Sequence, residues 1–120
     1  MNILFVYFDK IIQNDNLYVK SLCEEIRRQN GSVECSIDAF WNSPRKYDIV
    51  HIQFPEVIFK WRQPSNNGLK ALRQRIARLK SMGTKIVYTR HDAIPHYCTD
   101  KNKLELYRIV ETQSNAIIHL

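Results

Sequence analysis

The chain has little glycine and proline, with three glycines and four prolines among 120 residues, which excludes collagen-like and linker-dominated proteins. Its apolar runs are short, as at residues 3–8. None is close in length to the about 20 apolar residues that a transmembrane helix needs. Asp9 and Lys10 follow that first run directly, which is not the pattern of a secretory signal. The composition, 44% hydrophobic and 25% charged, indicates one globular domain with a real core.

Cysteine is also scarce, and its spacing is uninformative about metal. Cys23, Cys35 and Cys98 form no Cys-x-x-Cys pair and no zinc-ligand pattern. Reduced thiols in a cytoplasmic protein are the simplest interpretation.

Positive charge is in excess, because 18 Lys and Arg stand against 12 Asp and Glu, for a net charge of +6. Such an excess suits nucleic acid, an acidic membrane face or a phosphorylated substrate. Since many basic intracellular proteins bind none of these, the charge alone does not choose among them.

Apolar runs alternate with amphipathic segments along the chain. The pattern predicts strands at residues 3–8, 33–40, 48–54, 85–89 and 116–120, and helices near 15–29, 67–82 and 103–113. This alternation predicts an α/β protein with a parallel sheet of about five strands. Residues 39–47 are too few for a crossover helix, so we expect a single turn there. A final strand would lack a covering helix, so we expect residues 1–120 to be one half of a larger protein.

Phosphate-binding glycine loops are missing. Gly31, Gly68 and Gly83 all flank helices, and neither G-x-G-x-x-G nor a Walker A loop follows the first strand. Ordinary NAD-binding and P-loop proteins are therefore excluded. In open parallel sheets, ligands bind beyond the carboxyl ends of the strands. The loops to inspect there are residues 9–15, 55–66 and 90–100.

The third predicted strand ends in polar side chains. His51 and Gln53 alternate with Ile52 and so project to one face, and Glu56 follows them. Polar groups in a buried strand need partners, which a sugar or phosphate could supply. The alternative is a core histidine satisfied by its neighbours.

A second polar cluster leaves the fourth strand. Arg90 offers donors for phosphate, His91 can act as an acid or base, and Asp92 could orient that histidine. His91 and His96 with Asp92 also suggest a metal site, although this spacing on a loop is weakly specific. The alternative is structural, with Asp92 capping a turn and Arg90 paired with a surface acid.

Basic residues precede the fourth strand. Five cations on the predicted helix avoid its apolar face, which is typical of a solvated surface: Lys70, Arg73, Arg75, Arg78 and Lys80. Aromatic and basic residues alternate at Phe59, Lys60, Trp61 and Arg62, which suits a membrane interface or stacking on sugars or bases. We expect residues 58–62 to be exposed.

In combination these segments resemble the GT-B glycosyltransferases, in particular glycosyltransferase family 4. The resemblance rests on ordered pieces that span nearly the whole chain: Asn16-Leu17-Tyr18, Tyr47-Asp48-Ile49-Val50-His51-Ile52-Gln53-Phe54-Pro55-Glu56, Lys85-Ile86-Val87-Tyr88-Thr89-Arg90-His91-Asp92 with Pro95-His96, Leu106-Tyr107-Arg108 and Asn115-Ala116-Ile117-Ile118-His119. The chain departs from the family pattern in three places. Residues 9–15 contain no glycine, Gln53 replaces a common histidine, and Asn115 replaces a common aspartate.

The resemblance implies a Rossmann-like three-layer domain with strand order 2-1-3-4-5, the acceptor-side half of a two-domain enzyme. A separate C-terminal domain would hold the nucleotide-sugar, and transfer would be retaining, without metal or other cofactor. His91 would contact the reacting sugar.

We accordingly expect transfer of a sugar to a glycan or lipid-linked acceptor at a peripheral position on the inner, anionic face of a membrane, without nucleic acid. The expected catalytic residues are His91 and Asp92. The remaining expected site residues are His51, Gln53, Glu56 and His96 for acceptor, Arg90 for donor phosphate, and Phe59, Lys60, Trp61 and Arg62 for membrane. The alternative is a non-catalytic basic module that binds nucleic acid or an acidic membrane through the helix at residues 67–82. Steep salt dependence would mark a nucleic-acid binder.

Overall fold

A computed structural model describes residues 1–8, 17–30, 32–91 and 100–119 of the chain. Five short strands alternate with helices along these residues. The strands are β1 (Ile3–Phe5), β2 (Val33–Cys35), β3 (Ile49–Ile52), β4 (Lys85–Arg90) and β5 (Ala116–His119). The helices are α1 (Leu17–Asn30), α2 (Ile37–Asn42), α3 (Asn66–Ser81) and α4 (Lys101–Gln113), with a 3₁₀ helix at Pro55–Phe59.

All five strands pair in parallel, in the order β2-β1-β3-β4-β5. This confirms the predicted α/β class and the predicted order 2-1-3-4-5. Strand order reverses between β1 and β3, so the chain forms a Rossmann-like sheet, and in such sheets ligands bind beyond the carboxyl ends of the strands.

Helices cover both faces of the sheet. On one face, Ile3 and Phe5 pack with Cys23 of α1. On the other face, strand residues such as Leu4 and Val50 pack with the apolar side of α3, and α2 and α4 join the same cluster. The α3 side chains buried there are those whose spacing predicted the helix: Leu69, Leu72, Ile76 and Leu79.

The predicted strand at residues 33–40 is wrong beyond Cys35. Ser36 caps α2 by accepting a hydrogen bond of 2.9 Å from the amide of Ala39. This cap begins a helix of six residues where we expected first strand and then a turn. Phe40 lies on α2 and is fully buried. The apolar residues beyond Cys35, which suggested a longer strand, therefore pack one side of a helix against the core instead.

One close approach positions the segment after β3. Gly68 of α3 permits contact with Phe59, since a Cβ built at Gly68 would lie 3.0 Å from the Phe59 ring. At the end of α3, Gly83 adopts a φ of 89°, a conformation that L side chains rarely adopt. Asn115 accepts a hydrogen bond of 2.8 Å from the amide of Ile86, which fixes β5 beside β4.

Candidate functional site

The carboxyl ends of β3 and β4 bring four polar side chains together. Ile52 pairs with Tyr88 in the sheet register, so Gln53 and Thr89 follow side by side. Thr89 Oγ1 lies 2.7 Å from Nε2 of His51 and 3.1 Å from Nε2 of Gln53. His91 Nε2 lies 2.7 Å from the amide oxygen of Gln53. These hydrogen bonds connect the buried His51 to His91, which is only partly buried just beyond the end of β4.

Gln53 determines the proton positions around it. Its amide oxygen can only accept, so the Nε2 atom of His91 bears the proton in their contact. Its amide nitrogen can only donate, and it lies 2.9 Å from Nε2 of His51. That nitrogen of His51 is therefore an acceptor, and a neutral His51 bears its proton on Nδ1.

His51 is kept neutral by its surroundings. Its side chain is 7% exposed and lies against the ring of Phe5, with centroids 4.8 Å apart. Burial and, secondarily, the charge of His91 lower the pKa of His51 to about 4. His51 is thus a satisfied core histidine in the described structure, which was the alternative interpretation of this residue.

His91 lies nearer the surface, in an aromatic setting. Its ring stacks on Phe54 at a centroid distance of 4.6 Å and an interplanar angle of 14°. The two rings line a cavity of about 250 Å³ together with Gln53, Pro55, Glu56, Trp61, Tyr88 and Tyr107. A partly buried imidazole beside a buried hydrogen-bond network is suited to proton transfer or to orienting a hydroxyl group.

A second cavity of about 330 Å³ adjoins the first, because Glu56 and Trp61 line both. Its other lining residues are Arg62, Gln63, Pro64, Asp100, Lys103 and Leu106. The Oε1 atom of Glu56 is buried and has no hydrogen-bond partner within the described part of the chain. A ligand hydroxyl in either cavity would supply the missing donor.

Trp61, which lines both cavities, follows closely on the end of the 3₁₀ helix. Lys60 ends that helix in the left-handed region at φ 55°, and Trp61 follows with φ 65°. These two are non-glycine residues in a conformation that costs free energy. Trp61 is 56% exposed, and its ring lies 6.1 Å from that of Phe54.

The expectation that residues 58–62 are exposed is wrong for Ile58, which is 1% exposed. Phe59 is partly buried, and its ring contacts Trp41 at a centroid distance of 5.7 Å. Pro55 starts the 3₁₀ helix and turns this stretch of chain inward, which the alternation of aromatic and basic letters does not reveal. Only Lys60, Trp61 and Arg62 of the four expected membrane residues are exposed.

Arg90 faces an acid, as the alternative interpretation of that residue had it. Its Nε atom lies 3.6 Å from Oε1 of Glu111 on α4, and both side chains are partly buried. Two further expected site residues, Asp92 and His96, lie outside the described residues. The weakly specific alternative of a metal site at His91, Asp92 and His96 is therefore not tested by the described residues, and the expectation of transfer without metal stays a prediction.

The basic face of α3 is partly compensated within the domain. Arg73 pairs with Glu105 at 2.6 Å, and Arg75 donates to the carbonyl oxygens of Phe40 and Ser43. The guanidinium groups of Arg108 and Arg73 lower the pKa of the Glu105 carboxyl to about 2. These contacts leave fewer cations available to an external polyanion.

Sequence reasoning found His51, Gln53, Glu56 and His91 but missed their partners Thr89 and Phe54. Alternation along β4 places Thr89 on the face of Val87, and Val87 pairs with His51. A register for the strand pair would therefore have identified Thr89.

Comparisons of the chain with protein-family models, with curated proteins and with solved structures find no match. Among the described residues, no helix combines the length and the apolar character needed to cross a membrane.

Proposed function

We propose that this chain is the acceptor-side half of a GT-B glycosyltransferase, which moves a sugar from a nucleotide-sugar to a glycan or lipid-linked glycan. A separate nucleotide-sugar-binding domain would complete the enzyme. The proposal is supported by the resemblance of the ordered segments and by the Rossmann-like sheet. The observation on which it chiefly rests is the hydrogen bond from His91 to Gln53 at the wall of an aromatic cavity.

The acceptor hydroxyl must lose its proton as the new bond forms. A neutral His91 with its proton on Nε2 has its basic lone pair on Nδ1, and Glu56 contributes a carboxylate to the same cavity. Either group would take the proton or orient the hydroxyl. Phe54 and Trp61 offer aromatic faces against which the apolar side of a sugar ring packs.

The leaving nucleoside diphosphate develops negative charge, which cations at the cleft stabilise without a divalent ion. Arg90 is the candidate on this chain. Its ion pair with Glu111 is long, at 3.6 Å, so a phosphate would displace a weak contact. Retention of configuration and independence from metal belong to the proposal through the family resemblance alone.

Saccharide binding by the full chain tests the proposal. A panel of neutral mono- and disaccharides is titrated while the side-chain amide signals of Gln53 and the indole signal of Trp61 are followed by NMR. We expect millimolar to micromolar binding of at least one sugar, shifts confined to the cavity, and little dependence on salt. Trp61→Ala should weaken that binding, whereas Lys70→Ala on the exposed side of α3 should leave it unchanged.

Duplex DNA and RNA at increasing ionic strength provide the opposing arm of the test. Binding that falls steeply with salt and ignores Trp61→Ala would favour the basic module and overturn the glycosyltransferase proposal. Failure of every sugar in the panel to shift the Gln53 and Trp61 signals would also overturn it.

We propose in addition a peripheral membrane contact through Lys60, Trp61 and Arg62. The supporting observation is that Trp61 is 56% exposed between two exposed cations at the rim of the cavities. A lipid-linked acceptor would then enter from the membrane side. In flotation assays, acidic vesicles should retain the chain better than neutral ones, and both Trp61→Ala and Lys60→Glu should reduce retention. Equal retention on both vesicle types, or none, would leave a solvated surface.

A further inference from the structure

Cys23 and Cys35 meet where α1 packs on β2. Their Sγ atoms are 3.0 Å apart, closer than an ordinary van der Waals contact between two sulfur atoms, and both thiols are free. Cys23 is 3% exposed in a cluster with Ile3 and Phe5, and Cys35 is partly buried at the end of β2. A disulfide needs the two sulfur atoms about 2.05 Å apart, so a movement of about 1 Å would allow the bond to form.

The pair is chemically asymmetric. Either sulfur can donate in the contact between the two thiols; donation by Cys35 to the Cys23 thiolate, with a smaller contribution from Arg27, lowers the pKa of Cys23 to about 7. The same bond and burial raise the pKa of Cys35. Arg27 is held at this place by its hydrogen bond of 3.3 Å to the carbonyl oxygen of Val33. A thiolate beside a second thiol is the arrangement in which oxidation ends in a disulfide.

We propose that Cys23 and Cys35 are a modification site, at which hydrogen peroxide converts the two thiols into an intramolecular disulfide. The thiolate of Cys23 attacks the peroxide O–O bond, forms a sulfenic acid and, with one proton, releases water. The sulfur of Cys35 then attacks the sulfenic sulfur and displaces hydroxide, which takes the proton of Cys35 to give a second water. Two thiols and one peroxide thus yield one disulfide and two waters.

Size selects the oxidant. Cys23, which holds the thiolate, is almost fully buried, so a disulfide as bulky as oxidised glutathione cannot align with it in the folded chain. Hydrogen peroxide is about the size of two water molecules, so its approach to Cys23 needs a much smaller opening of the fold than the approach of oxidised glutathione. The bond would tie α1 to β2, an outer strand of the sheet, across a separation of 12 positions in the chain.

The test uses the full chain with Cys98→Ser, so that only the proposed pair can react. The reduced protein is treated with one equivalent of hydrogen peroxide and analysed by intact mass and peptide mapping. We expect loss of two hydrogens, a peptide that joins Cys23 to Cys35, and a melting temperature higher by on the order of 5–10 °C, reversed by dithiothreitol. Oxidised glutathione should act far more slowly than peroxide on the folded chain.

Two single variants separate a built pair from coincidental proximity. In Cys35→Ala, peroxide should leave a sulfenic acid on Cys23, seen as the gain of one oxygen in the intact mass and captured by dimedone once the chain is unfolded in urea, whereas Cys23→Ala should react at least tenfold more slowly at Cys35. Arg27→Met should slow oxidation of the pair without changing its product. Circular dichroism verifies that each variant is folded.

The comparison between folded and unfolded chain completes the test. A disulfide that forms faster in buffer than in concentrated urea supports the proposal, because the fold then aligns the two sulfur atoms. Two intact thiols in the folded chain after peroxide treatment, or a disulfide that forms only in urea, would overturn it.

Discussion

His91 and Gln53 are 38 positions apart in the chain, and the imidazole Nε2 of His91 donates a hydrogen bond of 2.7 Å to the amide oxygen of Gln53. The amide nitrogen of the same Gln53 faces Thr89 and His51. Gln53 therefore links a buried, neutral histidine to one that lines a cavity. A neutral histidine at position 53 would have a single N–H donor whose place depends on the tautomer, whereas the amide of Gln53 has a fixed acceptor and a nitrogen that faces both His51 and Thr89.

Gln53→Ala should destabilise the fold. The substitution removes the acceptor for His91 and the donor to Thr89, and both groups face a site where Gln53 itself is only 1% exposed. We expect the free energy of unfolding to fall by about 1–3 kcal/mol, the cost of leaving buried polar groups unpaired. Urea denaturation measures the change.

Gln74→Ala provides a matched control, because Gln74 is exposed on α3. Its effect should lie within about 0.5 kcal/mol. Equal effects of the two variants would mean that the network around Gln53 contributes nothing to stability.

Stability should decrease in acid because of His51. Its pKa is about 4 in the fold and 6.5 in the unfolded chain. Between these values the unfolded chain binds a proton that the folded chain does not, so the free energy of unfolding falls as pH falls. This loss of stability is nearly absent above about pH 6.5, and at about pH 5 it lowers the free energy of unfolding by about 2 kcal/mol.

The measurement compares the wild-type chain with His51→Asn by urea denaturation at about pH 7.5 and about pH 5. Other titrating groups affect both proteins, so the difference between them isolates His51. The wild type should lose about 2 kcal/mol more than the variant over this range. Parallel losses would show that His51 accepts a proton inside the fold.

The sequence was most informative where periodicity and burial coincide, as at the apolar stripe of α3 and the runs around β1, β3 and β4. It was misleading at Ile37, which continues the alternation of Val33 and Cys35 beyond the end of β2, although Ile37, Phe40 and Trp41 also have helical spacing. The cap by Ser36 decides between the two, and a cap is visible only once the helix is suspected.

At the site, alternation correctly placed His51 and Gln53 on one face. It could not supply their register with β4, and so it missed Thr89. The left-handed backbone at Lys60 was equally inaccessible, because lysine carries no signal for a positive φ.

Lys60→Gly should stabilise the chain. Lys60 has φ 55° and ψ 42°, where its Cβ atom crowds the backbone and glycine has no Cβ atom. Relief of this strain, less the greater flexibility that glycine gives the unfolded chain, should raise the free energy of unfolding by about 0.5–1 kcal/mol.

Lys70→Gly is the matched control, since Lys70 is an exposed lysine inside α3. The helical backbone at Lys70 holds no such strain, so glycine should lower the free energy of unfolding there by about 1 kcal/mol. Opposite signs for the two lysine-to-glycine changes, measured by urea denaturation, are the expected result. A loss of stability at both positions would mean that Lys60 is unstrained.

His91→Ala should reduce catalysis far more than stability in the proposed two-domain enzyme. In the proposed reaction His91 moves or orients the acceptor proton, so turnover should fall by roughly 10²–10⁴-fold. The fold loses one hydrogen bond to the buried amide oxygen of Gln53 and the stacking on Phe54. Because water from the cavity can replace the lost donor, the expected cost is only about 1 kcal/mol.

His91→Gln separates the two roles, because its amide can still donate to Gln53 but cannot act as a base near neutral pH. It should recover most of the stability lost in His91→Ala and little of the turnover, with the Michaelis constant for acceptor nearly unchanged. Steady-state kinetics and urea denaturation on the same preparations measure both quantities. Normal turnover together with a large loss of stability in His91→Ala would make His91 a structural residue, whose hydrogen bond serves Gln53 rather than the acceptor.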